Sequence, residues 1–461
     1  MKKKILCLCA VAAVGLVAGA SLTSCSKKEI FHIYAWNTEF QGYFNKYVSD
    51  EKNNDDSNAV HHLNGVEVKW TITPSDNGAY QKALDEALAN NESFSEEEKV
   101  DMFLAEADYI LKYVNSDATP DVKTTYGVND FSQAYKYTVD QVTDTSGVVK
   151  GASFQCCPAG LIYRRSIAKQ VLGTDDPTEV QKHVETWEKY NETADLMAAA
   201  GNKMTASFAD TYRVYSNNAA SPWVKDNKLE VPAFVNTWMD QAKDQLDKGE
   251  TTTYGVWDGE KTAEFKKTGK TFCTFGPAWY YNFCMGPAMG NGTASTAPDA
   301  SKKDYSEDHS WGDWAVVKGP QAYFWGGTWL LGAKGGNNTD LVGKTMNAFL
   351  KDEEILKKLV VDDGQFSNNK KVNGAVAAEN ETQKKGNGFL GGQNDTKIWV
   401  DMADSIVVKN NTIYDQLCNE GIQTAFGKFL KGELDSKEKV LPEFYADIAK
   451  SYPTLVIPSS K

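Results

Sequence analysis

The chain has 461 residues, too many for one hydrophobic core of usual size, so two or three packed units are expected. Apolar content of 41% with 24% charged residues excludes a disordered chain, and a net charge of −13 argues against a nucleic-acid interface, which needs a basic face. Acidity otherwise reports mainly on solubility. The aromatic share of 11%, with twelve Trp, leans toward recognition of flat or ring-shaped ligands.

Residues 1–24 read as a targeting segment: Lys2, Lys3 and Lys4 precede an apolar stretch over 5–20. That stretch is too short and too rich in small residues to span a bilayer well. It ends in Leu22-Thr23-Ser24-Cys25, which resembles the bacterial lipobox, in which cleavage precedes a cysteine whose thiol takes the lipid, palmitate included. Residues 25–29 would then tether the fold, and removal of the three leader lysines would take the charge from −13 to −16. No other run is apolar enough to span a membrane, so lipid is the expected attachment.

The mature chain opens with a strand over 29–36 that ends in aromatics. A helix over 37–48 follows, with Phe40, Tyr43, Phe44 and Tyr47 at helical spacing. Beyond a polar loop, in which His61-His62 is expected to be solvated, comes a strand over 66–72. An amphipathic helix carries Tyr80, Leu84, Ala87 and Leu88, and a third strand covers 100–104. This β-α-β-α-β order implies a parallel sheet covered by helices. Residues 148–163 look extended, interrupted at Cys157-Pro158-Ala159-Gly160, and 167–246 look mainly helical with breaks near Gly201 and Ser221-Pro222. A β-prone run, Thr271 to Phe275, is expected to stop at Gly276-Pro277 and deliver Trp279, Tyr280 and Tyr281. A strand that ends in stacked aromatics is how an open α/β sheet furnishes a ligand crevice. A second cluster, Tyr323-Phe324-Trp325-Gly326-Gly327-Thr328-Trp329, follows the strand 314–317. Its paired glycines point to close approach of backbone. Residues 340–361 read as paired helices, and the remainder as helical apart from a glycine-rich loop over 386–392.

No phosphate loop, dinucleotide fingerprint, HExxH or GxSxG is present, and the five His share no motif. The eight Cys fit no zinc spacing; those of the mature fold read mostly as buried thiols, with a Cys273–Cys284 disulfide possible but unforced. Neither metal nor cofactor is expected. Glu39, Glu106 and Asp108 fall at carboxyl ends of strands, where a carboxylate can accept from sugar hydroxyls, do acid–base work, or favour a helix N-terminus.

In this order the segments resemble extracellular solute-binding proteins of family 1, the carbohydrate receptors of bacterial ABC importers. The resemblance rests on Ile33-Tyr34-Ala35-Trp36-Asn37, Phe103-Leu104-Ala105-Glu106-Ala107-Asp108 and Gly160-Leu161-Ile162-Tyr163-Arg164-Arg165. It continues through a pocket-side hairpin at 218–231, Gly276-Pro277-Ala278-Trp279, and Trp325-Gly326-Gly327 with the helix pair after it. Two departures, Ser166 where many members have Asp and the pair Cys156-Cys157, bear on the ligand and not the fold.

The family implies an α/β, periplasmic-binding-protein-like fold of type II: two lobes, each a mainly parallel sheet flanked by helices, joined by a hinge. Lobe 1 would comprise 30–153 and a return segment 323–373. Lobe 2 would comprise 154–322 and, with the C-terminal helices, 374–461. The implied ligand shell is Trp36, Glu39, Asp108, Tyr212, Arg213, Trp279 and Trp325. A pyranose stacks its apolar face on Trp and pairs its hydroxyls with Asp, Glu and Arg. The implied activity is non-enzymatic: a monomeric receptor, lipid-anchored at Cys25 outside the cytoplasm, hands a carbohydrate to permease subunits. Nucleic acid is not an expected partner. The alternatives are an exported glycoside-active enzyme, a peptide or amine receptor of the same fold, and an outer-membrane glycan-capture lipoprotein, which the β-α-β opening disfavours.

Overall fold

The computed structural model describes residues 29–458 except 53 and 55, so the leader and Cys25 lie outside the described residues. The opening follows its periodicity. Strand β1 (Ile30–Ala35) is buried at every position but Tyr34, and the helix Glu39–Tyr47 turns Phe40, Phe44 and Tyr47 inward. Strands β2 (His61–Leu63) and β3 (Val66–Ile72) form a hairpin whose turn residues Asn64 and Gly65 both have positive φ. His61 is not solvated as expected. It is buried, with its ring nitrogens 3.3 Å from Ser49 Oγ and 3.1 Å from the Asp56 carbonyl. After the helix Ala79–Asn90, strand β4 (Met102–Glu106) pairs parallel with β1, as β3 does on its other side.

The chain then builds a second sheet. Strand β5 (Gly151–Ser153) closes the first sheet's far edge, and β6 (Pro158–Arg164) starts the second. Strand β7 (Lys203–Thr205), the small hairpin β8 (Val224–Lys225) and β9 (Lys228–Leu229), and β10 (Thr271–Pro277) follow. Strands β11 (Trp314–Val317) and β12 (Tyr323–Phe324) complete the second sheet, and β13 (Thr328–Gly332) returns to the first. The orders are β2-β3-β1-β4-β13-β5 and β11-β6-β10-β7, with β12 also paired to β6. Among the strand pairs of the described residues, only β1–β3, β1–β4 and β7–β10 are parallel. The sheets are therefore mixed and not mainly parallel: β13 and β6 enter from the opposite sheet, so each runs against its neighbours.

Strand β10 ends at Gly276-Pro277 as expected, but the stretch read as an interruption near 157–160 opens a strand. Pro158, Ala159 and Gly160 belong to β6, facing Phe324, Tyr323 and Gly276. A Cβ on Gly160 would lie 2.5 Å from the Val317 carbonyl, and one on Gly276 would lie 2.4 Å from the Tyr280 ring. Close packing, and not turning, demands these glycines.

The chain passes between sheets at residues 154–157 and again at Trp325-Gly326-Gly327. A third link runs beside the first, where Cys156 N–H donates to the Phe366 carbonyl at 3.1 Å and Asn368 N–H to the Phe154 carbonyl at 3.1 Å. One apolar core joins β1, β2 and β4 to the helices Thr339–Lys351 and Glu353–Val361. A larger one spans the other face of the first sheet and the second sheet, and a third unites Trp223, Trp238 and the helices Asp415–Leu430 and Val440–Ser451. The β8–β9 hairpin belongs to this third core: Trp223 Nε1 donates to Asn419 at 2.9 Å and Leu229 N–H to the Val456 carbonyl at 2.9 Å. It packs on the C-terminal segment and lines no part of the crevice described next. The five cysteines of the described residues are buried and unpaired.

Candidate ligand crevice

A crevice of about 720 Å³ lies between the two sheets. One wall comes from segments leaving the carboxyl ends of parallel strands: Trp36 and Glu39 after β1, Ser75 after β3, Glu106 and Asp108 at β4. Parallel strands place such segments side by side at one sheet edge, which is where open α/β sheets bind ligands. The other wall carries Asp210 and Arg213, the loop at Trp257, Trp279, and a polar face of the helix Asp415–Leu430.

Six of the seven residues carried over from the family line this crevice: Trp36, Glu39, Asp108, Arg213, Trp279 and Trp325. Tyr212 does not. It is 0% exposed, its hydroxyl donates to Asn419 Oδ1 at 2.7 Å, and its ring meets Trp238 edge-on at 4.7 Å. In the helix Tyr212–Asn217 neighbouring side chains point about 100° apart, so Arg213 faces the crevice and Tyr212 the third core.

Asp108 and Arg213 meet each other. The guanidinium grips both carboxylate oxygens, and Asp108 follows β4 while Arg213 belongs to the opposite wall, so the pair bridges the crevice. Planar bidentate pairing satisfies both groups and removes most of their charge from ligand recognition. Arg213 also lies 5.7 Å from the Trp325 ring centroid.

The tryptophans form one platform and one isolated ring. Trp279 and Trp325 have centroids 5.4 Å apart, and Trp279 Nε1 donates to the Trp325 carbonyl at 3.2 Å. Trp257, 68% exposed, adds its ring 5.6 Å from Trp325, and Phe283, 59% exposed, lies 6.2 Å from Trp279. Trp36 stands in the first wall, edge-on to Tyr80 at 5.7 Å. Beneath the platform, Lys261 and Asp210 form an ion pair at 2.5 Å with side chains 0% and 1% exposed. Lys261 also donates to the Tyr280 hydroxyl at 2.7 Å, which is 3.1 Å from Thr274 Oγ1. This network ties together the segments that carry Arg213, Trp257 and Trp279. Burial pushes Asp210 up, while the Asp210 charge holds Lys261 above its ordinary value and protonated.

Two carboxylates of the first wall have no basic partner among the described residues. Glu39 Oε1 accepts from Gln365 Nε2 at 3.2 Å, and burial pushes its pKa up to about 7 against that bond. Glu106 Oε2 accepts from the Asp108 N–H at 2.7 Å; burial first, and then the Asp108 charge, raise its pKa, with Arg213 opposing.

Sequence reasoning missed Trp257 and the polar face Gln416, Glu420, Thr424 and Lys428. Both left signals. Trp257 stands in a Gly255-Val256-Trp257-Asp258-Gly259 loop, and the polar four recur at i, i+4 opposite buried Cys418, Ile422 and Phe426.

Two α/β sheet units thus face one another across an aromatic-lined crevice. The chain belongs to the bacterial extracellular solute-binding proteins, whose family model matches residues 58–386. No curated protein matches the sequence significantly. Among solved structures, an extracellular solute-binding protein of family 1 superposes with a TM-score of 0.69 at 18% identity, covering 92% of this chain and 99% of its own. The galacto-N-biose/lacto-N-biose I-binding protein of a Bifidobacterium longum ABC transporter, in complex with lacto-N-biose, gives 0.63 at 14%, covering 93% and 98%. Maltose-bound MalE3 of T. maritima gives 0.61 at 12%, covering 93% and 100%. These identities establish a shared fold. Among the described residues no helix is long and apolar enough to cross a membrane.

Proposed function

We propose that the protein is a non-enzymatic carbohydrate receptor of an ABC importer, held outside the cytoplasm by lipid on Cys25. The observation that carries this reading is the Trp279–Trp325–Trp257 platform in a crevice that also presents hydrogen-bonding side chains. Pyranose rings present an apolar face to such a platform and hydroxyls to Glu39, Gln155, Gln416 and Glu420 around it. The sugar-bound proteins of the same fold support it. In this reading the first sheet's unit, with its return segment after Trp325, forms one lobe and the second sheet's unit the other. Ligand touching both walls favours the closed form. Permease subunits would then receive the ligand from the closed protein.

Titration calorimetry against a panel of mono-, di- and trisaccharides tests the function. Saturable binding of at least one, with a smaller radius of gyration by small-angle scattering in saturating ligand, is the expected result. Binding of peptides or free amines but of no saccharide would refute it, and turnover of a bound oligosaccharide would show an enzyme instead.

A further inference from the structure

We infer that the ligand carries a protonated amine, held by Glu39 and Glu106 on the first wall of the crevice: an amino sugar, or an oligosaccharide containing one. This deepens the carbohydrate reading and rests on it.

The inference follows from which charges the crevice leaves uncompensated. Seven carboxylates and three basic side chains line it. The basic groups are largely taken. Arg213 is bound bidentately to Asp108, Lys428 donates to Glu443 at 2.5 Å outside the crevice, and Lys431 stands exposed at the rim. Among the seven carboxylates, Asp108 has Arg213 and Asp210 has Lys261, Asp258 accepts from the Gly255 N–H at 2.7 Å, and Glu420 and Glu433 are exposed to solvent. Among the described residues Glu39 has only the Gln365 amide and the Tyr43 hydroxyl as partners and Glu106 a backbone N–H, and both lie close enough to the buried Cys157 thiol to push its pKa up further. Asp210, 5% exposed and part of the crevice wall, keeps Oδ2 without any hydrogen-bond partner.

A neutral sugar does not resolve this. Its hydroxyls bring no countercharge, so closure over such a ligand leaves both carboxyls in the protonated form that burial already favours, and their charge contributes nothing to recognition. An ammonium group supplies three N–H donors and the missing positive charge together. The aromatic platform supplies the other half of the specification, since stacking wants a flat apolar face beside the charge. A pyranose with one amine in place of a hydroxyl meets both requirements.

Proton linkage separates the two ligand classes. Tyr43, Gln365 and Asp363 face Glu39; Asp108, Arg213, Glu420 and Tyr109 face Glu106. In the free protein burial favours the protonated carboxyls. An ammonium ligand favours the carboxylates, so its affinity rises with pH while the amine stays charged, from about pH 5.5 to about pH 7. A neutral sugar that desolvates the same groups shows the reverse slope.

The test is titration calorimetry of wild type, Glu39→Gln and Glu106→Gln with glucosamine and galactosamine mono-, di- and trisaccharides, each beside its N-acetylated form. The amine forms are expected to bind at least about tenfold tighter than the N-acetylated ones. Either variant should bring that ratio to within about twofold, whatever it does to the N-acetylated forms; a merely structural role would weaken both forms alike and leave the ratio standing. The pH slope of the wild type provides the same discrimination without any variant. Equal or tighter binding of N-acetylated or unmodified sugars, or an affinity for amine forms that falls as pH rises, overturns the inference and leaves the carbohydrate reading standing. Failure of every saccharide, with or without an amine, overturns both.

Discussion

Trp279→Ala separates a ligand-facing ring from a core ring. Trp279 is half-buried, in contact with Trp325 at 5.4 Å, Tyr280 at 6.0 Å and Phe283 at 6.2 Å, and its one polar atom reaches the Trp325 carbonyl. Deleting the ring removes one face of the platform. Stacking accounts for about 1 kcal/mol and the apolar area a sugar would cover adds to it, so affinity for the best-bound saccharide should fall at least about tenfold. The fold loses one hydrogen bond and some ring contact, about 1–2 kcal/mol, because the ring is only half-buried. Trp238, completely buried between Phe208, Tyr212 and Phe426, is the control: its alanine variant should lose about 3–5 kcal/mol of stability. Calorimetric affinities and denaturant unfolding of both variants make the comparison. Unchanged affinity in Trp279→Ala, with a stability loss matching that of Trp238→Ala, would show that the platform is core.

Cys25→Ser should move the protein from the membrane fraction to the soluble fraction, since acyl chains on that thiol are its proposed attachment; retention in the membrane refutes it. Lys261→Met leaves Asp210 buried without a countercharge and should cost about 3–5 kcal/mol by denaturant unfolding, most of it restored by adding Asp210→Asn; a loss below about 1 kcal/mol would show the pair is dispensable. The Glu39 carboxyl titrates at about 7 in the fold, above its ordinary value of 4.5, so the fold disfavours its charged form. Its contribution to stability is therefore fully present below its unfolded pKa and lost as pH rises through about 7. Wild type should lose stability relative to Glu39→Gln between about pH 4.5 and about pH 7.5, and an unchanged difference across that range would count against the buried, unpaired carboxylate.

The β-α-β opening was legible because each element carries its own period: alternation and apolar runs in β1, β3 and β4, and a buried stripe every third or fourth residue in the intervening helices. Strand direction in the second half was not. Whether β6 runs with or against β10 depends on which end of the sheet the chain enters after crossing, and no local period records that. Gly160 misled for a related reason. Gly160 and Gly276 sit opposite each other in one register, so their partners are the Val317 carbonyl and the Tyr280 ring, contacts made through space. A Pro or Gly beside a strand-like run reads equally as a turn or as a tight place in a sheet.

The site divides along the same line. Strand ends pointed to Trp36, Glu39 and Asp108, and the Gly-Pro-Ala-Trp and Trp-Gly-Gly runs to Trp279 and Trp325. Residue type and position could not tell which of these groups are already committed. Asp108 and Arg213 read as sugar partners, yet each is the other's partner; Tyr212 is one helical step from Arg213, and that step takes it from crevice to core. Commitment decides recognition, because a group that is already paired gives a ligand little to gain, while a carboxyl without a basic partner gains most from a ligand that brings the positive charge. Asp108 thus serves to hold the two walls together. Glu39 and Glu106, at comparable strand ends but without a basic partner among the described residues, are the groups that the proposed amine would engage.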